Sequence, residues 1–346
     1  RLLDWSYAPI EGGFSATYGV YRFQGQAQVA DQIKPWSLIL KATGAAAGGS
    51  HEPTAVDYWK REVLVYQSGL LDHLPPNFVA PRCFGIAEYP GEEFWLWLEA
   101  IDETEPVWAL EQYGSAALHL GHFNGLTLAT RPLPTFPWLM TKRLQPRLAR
   151  ATPGMAELRA LGVHPAFEGL FPGDSIERIL RLWGERERLL TALDRLPRCL
   201  CHYDTVRQNL MIRHSAAGQV ETVALDWAAL GIGVVGEEIA TLFAVSPRFF
   251  AVDITRFAEL DQTIFTAYLA GLREAGWQGD AQQARFGYAA NAAFDVGVLQ
   301  VGIMVPRVVK MVEAAAQRGE EPPALLGPGR AQLAALQVYL LDLGDE

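Results

Sequence analysis

The stretch Leu200-Cys-His202-Tyr-Asp204-Thr-Val-Arg-Gln-Asn209-Leu-Met211 decides how this chain reads. An aspartate and an asparagine, four residues between them, follow an apolar leucine, a spacing that suits a tight catalytic loop. There a carboxylate can accept a hydroxyl proton and an amide oxygen can ligate magnesium. Moving outward, Leu210–Arg213, a turn at Ser215-Ala-Ala-Gly218 and Val220-Glu-Thr-Val-Ala-Leu-Asp226-Trp227 form a predicted hairpin. Asp226 then ends an apolar strand beside the loop that holds Asn209, where a carboxylate suits magnesium bound between nucleotide phosphates. Singly, Asp204 reads equally as a helix or turn cap and Asp226 as a strand-end turn residue. A hairpin joining two residues of this kind points to chemistry instead.

Further toward the N-terminus, Trp36-Ser-Leu-Ile-Leu-Lys41-Ala reads as a strand with Trp36, Leu38 and Leu40 on one face and Ile39 and Lys41 on the other. A lysine inside a strand is disfavoured unless the strand is an edge or the ammonium has a partner. A helix is predicted over about 55–70. In it Trp59, Glu62 and Tyr66 share a stripe, so Glu62 interrupts the apolar face while Lys60, Arg61 and Gln67 take the outer side. Lys41 and Glu62 supply each other's missing partner; the bland alternative is two surface charges. Gly12-Gly13-Phe14-Ser15 could present backbone N–H groups to phosphates, or could be a plain hairpin turn.

The rest of the chain falls into two parts. Residues 1–101 read as a β-rich lobe with one helix, its strands including Tyr18–Phe23 with a turn at Gly25, then Ala80–Ala87 and Glu93–Ile101 around Pro90-Gly91. Residues 102–346 read as mainly helical, with helices over Ser115–Asn124, Asp174–Leu193, Ile254–Ala275 and Ala281–Val305, and a β-like interruption at Leu200–Trp227. Seven prolines between Pro132 and Pro172 predict an irregular insertion. The class is therefore α+β and bilobal.

With 50% hydrophobic residues and 11% aromatics in 346, the composition excludes a disordered or collagen-like chain. A net charge of -10 argues against nucleic acid or an anionic membrane as partner and leaves room for a cationic or neutral substrate. Cys83, Cys199 and Cys201 fit neither a disulfide framework nor zinc spacing and read as reduced packing residues of a cytoplasmic protein. The most apolar segment, 289–305, is broken as a membrane span by Asn291, Asp295 and Gln300. Oligomeric state leaves no mark.

Taken in order, the glycine-rich turn, Lys41, Glu62, His202-x-Asp204-x4-Asn209 and Leu225-Asp226-Trp227 resemble the aminoglycoside phosphotransferase family, related in fold to choline kinases and, more distantly, to protein kinases. The resemblance implies a bilobal kinase-like fold and a magnesium-dependent transfer of the ATP γ-phosphoryl group to a hydroxyl of a small molecule, such as an aminoglycoside, an amino sugar or choline; GTP is also admissible. It implies that Lys41 holds the α- and β-phosphates and Glu62 fixes Lys41. Asp204 would be the catalytic base, and Asn209 and Asp226 the metal ligands. Leu98-Glu99-Ala100-Ile101 would be the hinge against adenine, with Ile39 and Met211 sandwiching the base and Gly12, Gly13 and Ser15 over the phosphates. His202 would brace the loop.

Three departures stand out: Tyr203 where the family usually has glycine or another small residue, Arg207 where proline is frequent, and Glu238 where an aspartate is common. The short interval from Asp226 to Gly236-Glu237-Glu238 leaves no activation segment for a folded-protein substrate. A kinase of flexible Ser/Thr peptides and a silent nucleotide-binding module are the rival readings. His119 and His122, three apart, read as one packed and one partly exposed histidine rather than metal ligands, and Trp95 and Trp97 as core rather than ligand-stacking residues.

Overall fold

The structure, a computed structural model, describes residues 1–10, 17–246, 252–320 and 329–346. The alternating N-terminal segments form strands β1 (Leu2–Ile10), β2 (Thr17–Val29) and β3 (Gln32–Gly44). After helix α1 (Arg61–Gln67) come β4 (Phe78–Val79), β5 (Cys83–Tyr89) and β6 (Glu93–Glu99). Five of these make an antiparallel sheet in the order β1-β2-β3-β6-β5. The predicted turn at Gly25 is absent: β2 runs on to Val29. Gly25 instead pairs with Trp5, where any Cβ would collide with the Asp4 carbonyl. The glycine serves close strand approach, not a turn.

Register fixes the direction of Lys41. It lies opposite Leu96, and Ile39 opposite Leu98, so both residues share the sheet face that packs on Trp59 and Val63. Trp95 and Trp97 occupy the other face, where Trp97 meets Phe23 edge-on at 5.2 Å and Trp95 meets Tyr89 at 4.8 Å. They neither face Lys41 nor join the buried cluster around α1.

Helix α1 is shorter than the predicted 55–70. The Arg61 side chain draws the carbonyls of Pro53, Ala55 and Val56 to itself, and the Ala55 carbonyl also accepts the Tyr58 N–H at 3.3 Å in a turn, so the chain before α1 follows an irregular path.

The helical lobe contains α2 (Leu110–Gly125), α3 (Leu144–Leu161), α4 (Ser175–Gly184) and α5 (Arg186–Leu193), then strands β7 (Arg198–Cys201), β8 (Leu210–His214), β9 (Val220–Ala224) and β10 (Gly231–Val234). It continues with α6 (Glu237–Val245), α7 (Phe257–Glu274), α8 (Ala281–Asn291), α9 (Gln300–Gln317) and α10 (Arg330–Asp345). β7 pairs with β10, and the β8–β9 hairpin is extended by β4 in parallel with β9. One core surrounds Trp227, Tyr113, Phe243 and Tyr268; a second joins α3 and α9 through Met155, Leu158 and Val305.

The proline-rich segment is not wholly irregular, because α3 lies within it. Pro146 sits in the first turn, where the missing N–H has no intrahelical acceptor. Pro153 is tolerated where α3 crosses α9: Gly154 comes so close to the Gly302 carbonyl that a Cβ would overlap it. The same crossing explains why α9 continues through Pro306 to Gln317 rather than ending near 305, since Gly302 is the residue whose carbonyl Pro306 cannot pair. A π-helical stretch, Ala292–Leu299, joins α8 to α9. The resulting helix is long and apolar enough to cross a membrane, yet 78% of its most apolar window is buried inside the protein. The predicted Asp174–Leu193 helix is divided at Glu185 into α4 and α5. All three cysteines are free.

Candidate active site

Lys41 is where the two lobes meet. Its Nζ lies 2.5 Å from Glu62 Oε2 on α1 and 3.1 Å from Asp226 Oδ1, which follows β9. The lysine is 11% exposed and Glu62 4%. Burial disfavours the ammonium, but the two carboxylates outweigh it and hold the Lys41 pKa above its ordinary value. Burial would raise Asp226; Lys41 overcomes that and keeps the carboxylate below its usual range. The group is thus a cation between two acids, one from each lobe.

Asp204 and Asn209 enter from the segment after β7. Asn209 closes a 3₁₀ turn and donates from Nδ2 to Asp204 Oδ2 at 2.7 Å. That bond fixes the amide orientation and leaves Oδ1 as its acceptor end. Leu225 N–H donates to the Asn209 carbonyl at 2.8 Å, which ties the loop to the residue before Asp226. Burial, then the charge of Asp226, pushes the Asp204 carboxyl up to about 6, against the Asn209 hydrogen bond and the charges of Lys41 and Arg143. A carboxylate so tuned is suited to exchange a proton near neutrality.

His202 braces this loop. It is fully buried, its Nε2 donates to the Leu225 carbonyl at 2.8 Å, and its Nδ1 accepts from Asp204 N–H at 3.2 Å. Both ring nitrogens are committed, and burial lowers its pKa to about 4, so it is neutral. Glu238, on α6, accepts from the backbone N–H of His202 (2.9 Å) and Tyr203 (2.8 Å) and from Asn124 Nδ2 (3.0 Å). It therefore does at this place what an anchoring acid must do.

The residues expected at the base lie on β3, on β8 and at the end of β6. Ile39 is half-buried on the Lys41 face. Met211 shares a face of β8 with Arg213, which reaches Glu99 at 2.9 Å. Glu99 ends β6, and its N–H already donates to the Arg82 carbonyl at 2.8 Å; Ile101 is buried. Gly12, Gly13 and Ser15 lie outside the described residues. The strands flanking them align Ile10 with Val20 and Val20 with Lys41.

Asn209 and Asp226 offer an amide and a carboxylate oxygen, hard donors that suit a hard divalent cation such as magnesium or calcium. Among the described residues no three His, Cys, Asp or Glu side chains gather as a metal cluster. Two protein oxygens fit an ion that takes its remaining ligands from phosphates and water. His119 instead bonds Thr222 Oγ1 at 2.8 Å and His122 bonds Glu274 at 2.8 Å.

Two arginines escaped the sequence reading. Arg61, expected on the outer side of α1, is fully buried. It donates to five carbonyls: Trp138 (2.8 Å) and Ala228 (2.8 Å) of the helical lobe, and Pro53, Ala55 and Val56. It thereby clamps α1, and with it Glu62, beside the turn after Asp226. Arg207, near the loop's end, pairs with Glu103 at 2.8 Å, donates to the Pro106 carbonyl at 2.7 Å and stacks on Trp108 at 4.3 Å. That ties the catalytic loop to the segment joining the lobes. Neither role has a sequence signal, since the bonds that tie each arginine across the structure go to Trp138 and Ala228 for Arg61 and to Glu103 and Pro106 for Arg207, all distant along the chain.

A family model described as the phosphotransferase enzyme family matches residues 57–279. No curated protein sequence matches the chain. Among solved structures, the amicoumacin kinase hAmiN in complex with AMP-PNP, Ca2+ and Ami is 14% identical, with 96% of this chain and 88% of that chain covered and a TM-score of 0.56; it shares the fold. An aminoglycoside phosphotransferase from Streptomyces rimosus with ADP and streptomycin is 15% identical over 86% and 92% of the two chains, with a TM-score of 0.46. A choline kinase from Cryptosporidium parvum is 12% identical over 99% and 89%, with a TM-score of 0.47.

Proposed function

The chain belongs to the phosphotransferase enzyme family, and from that premise we propose that it transfers the γ-phosphoryl group of Mg-ATP to a hydroxyl of a small molecule. The observation that carries this reading is Lys41 held between Glu62 and Asp226 at 2.5 and 3.1 Å, beside the Asp204–Asn209 pair. A lysine with its charge fixed in a partly dry cleft binds phosphate oxygens without reorganising. Glu62 keeps Lys41 extended into the cleft when Asp226 turns to another cation.

Asp204 accepts the proton of the acceptor hydroxyl, and Asn209 holds the carboxylate in place by its Nδ2 bond. Proton acceptance by a positioned base contributes about 10²–10⁴-fold. Asn209 Oδ1 and Asp226 would hold magnesium, whose charge, when bound, offsets that of the phosphates. Ala100 and Ile101 would offer backbone groups to adenine, with Ile39 and Met211 on its two faces and the segment containing Gly12, Gly13 and Ser15 over the phosphates.

A small acceptor is favoured over a folded protein by the course of the chain after Asp226. A single 3₁₀ turn, Trp227–Ala229, leads directly into β10, which returns to pair with β7, and α6 begins at Glu237. No platform for a peptide intervenes.

The test is ADP release from Mg-ATP with aminoglycosides, macrolides, choline, amino sugars or a Ser/Thr peptide as acceptor, and Asp204→Ala as control. An acceptor that stimulates the wild type alone supports the proposal and names the acceptor class. Stimulation by the peptide alone would replace it with the peptide-kinase reading. Equal turnover by Asp204→Ala would refute it.

A further inference from the structure

Tyr203 stands between His202 and Asp204 with φ of +70°, a left-handed conformation that bulky side chains rarely adopt. A glycine would adopt it freely. A strained torsion persists only where its surroundings over-determine it, and three contacts do so here. The Tyr203 N–H donates to Glu238 Oε1 at 2.8 Å, and its hydroxyl donates to Glu237 Oε2 at 3.1 Å. The Arg143 guanidinium lies 5.1 Å from its ring centroid. The side chain is 8% exposed, and β10 makes room for it: a Cβ on Gly233 would stand 2.5 Å from the Tyr203 hydroxyl.

The contacts continue outward. Arg143, just before α3, donates to Asp295 Oδ2 at 2.6 Å and to Glu237 Oε1 at 3.4 Å. Arg147 brackets the same aspartate from Nε and bonds Gln300 Oε1 at 3.0 Å. Asp295 lies in the π-helical stretch Ala292–Leu299, an irregularity that often accompanies a functional site. A chain of polar contacts thus runs from the π stretch through Arg143 to the residue next to Asp204. None of its members reaches Lys41 or Asp226.

We propose that Tyr203 is a positioning residue for Asp204: its side chain, held by Glu237 and by Arg143 on Asp295, locks the left-handed torsion that aims the Asp204 carboxylate at the acceptor hydroxyl. The proposal rests on the reading of Asp204 as the base. A tyrosine that merely filled space would do so more cheaply as a residue without the strain. One that locks a torsion must be both strained and anchored, and Tyr203 is both. Replacing it with glycine removes the strain and both side-chain contacts and leaves only the backbone N–H bond to Glu238, so the loop gains freedom and Asp204 loses its aim. Misplacement of a reacting group by about 1 Å can cost about 10²-fold in rate.

The experiment measures kcat, KM for ATP and thermal midpoint for wild type, Tyr203→Gly, Tyr203→Phe, Asp295→Asn and Asp204→Ala, with the acceptor the wild type uses or, lacking one, ATP hydrolysis. Tyr203→Gly is expected to lower kcat about 10–100-fold with KM for ATP within about twofold. Asp295→Asn should lower kcat in the same direction although it touches neither Asp204 nor Tyr203. A Tyr203→Gly enzyme with wild-type kcat, whatever its thermal midpoint, overturns the proposal. If that variant does not fold, Tyr203→Phe decides: a kcat loss of about threefold or more at unchanged KM supports the lock, and an unchanged kcat overturns it. Failure of the underlying reading is separate, because then Asp204→Ala itself retains activity.

Discussion

Replacing Arg61 with methionine should loosen the hold of α1 on the helical lobe, and the structure sets the size of the effect. The guanidinium serves five carbonyls. Those of Pro53, Ala55 and Val56 belong to an irregular segment that can turn toward water once released. Those of Trp138 and Ala228 are fixed within the helical lobe, and each buried acceptor left without a donor costs about 1–3 kcal/mol. Methionine fills part of the space and removes a buried charge, whose pKa burial has lowered to about 10, so some of the loss is returned. A net destabilisation of about 2–4 kcal/mol follows, and at about 2–4 °C per kcal/mol the thermal midpoint should fall by about 5–15 °C. Because Glu62 is the next residue, KM for ATP should rise as well. Arg61→Lys, with fewer donors, should fall between. Thermal unfolding followed by fluorescence, with ADP release on the same samples, checks both. A midpoint within about 1 °C of wild type with unchanged KM would refute the clamp, since no unsatisfied carbonyl costs so little.

Asp226→Asn should abolish magnesium-dependent nucleotide binding while leaving Lys41 paired to Glu62; calorimetric titration with and without magnesium shows this, and retained metal-dependent binding would remove Asp226 from the ligand set. Lys41→Met should lower kcat/KM for ATP by about 10²–10³, the usual loss for one preorganised charge-stabilising donor. The acid limb of kcat/KM for ATP should lie near pH 6: Asp204, raised to about 6, is a base only when ionised, so the rate falls tenfold per unit below that value and is flat above it. A limb near pH 4 would mean that the titrating group is not Asp204.

The two-lobe division was legible because apolar periodicity changes from two to nearly four residues near the start of α2, and period is a property of the local chain. Element ends were less so. α1 begins at Arg61, whose own side chain gathers the carbonyls of the irregular segment before it, and Gly25 continues a strand because β1 passes close by. α3 survives Pro153, and α9 survives Pro306, at one crossing of two helices. Each of these outcomes is decided by a side-chain or backbone contact outside the element itself, which propensity cannot register.

For the site the division is similar. Lys41, Glu62, Asp204, Asn209 and Asp226 could be named from the sequence alone, because residue type, spacing and the alternation of a strand already state which chemistry each can perform and which face it occupies. Tertiary structure alone decided that Lys41 bridges both lobes, that His202 is neutral, and that Tyr203, Arg61 and Arg143 are packed against Glu237, the Trp138 carbonyl and Asp295 rather than facing solvent. Those are facts of burial and of partners as far as 185 residues away. A charged side chain takes its role from the groups that replace its water, and the sequence order does not contain them.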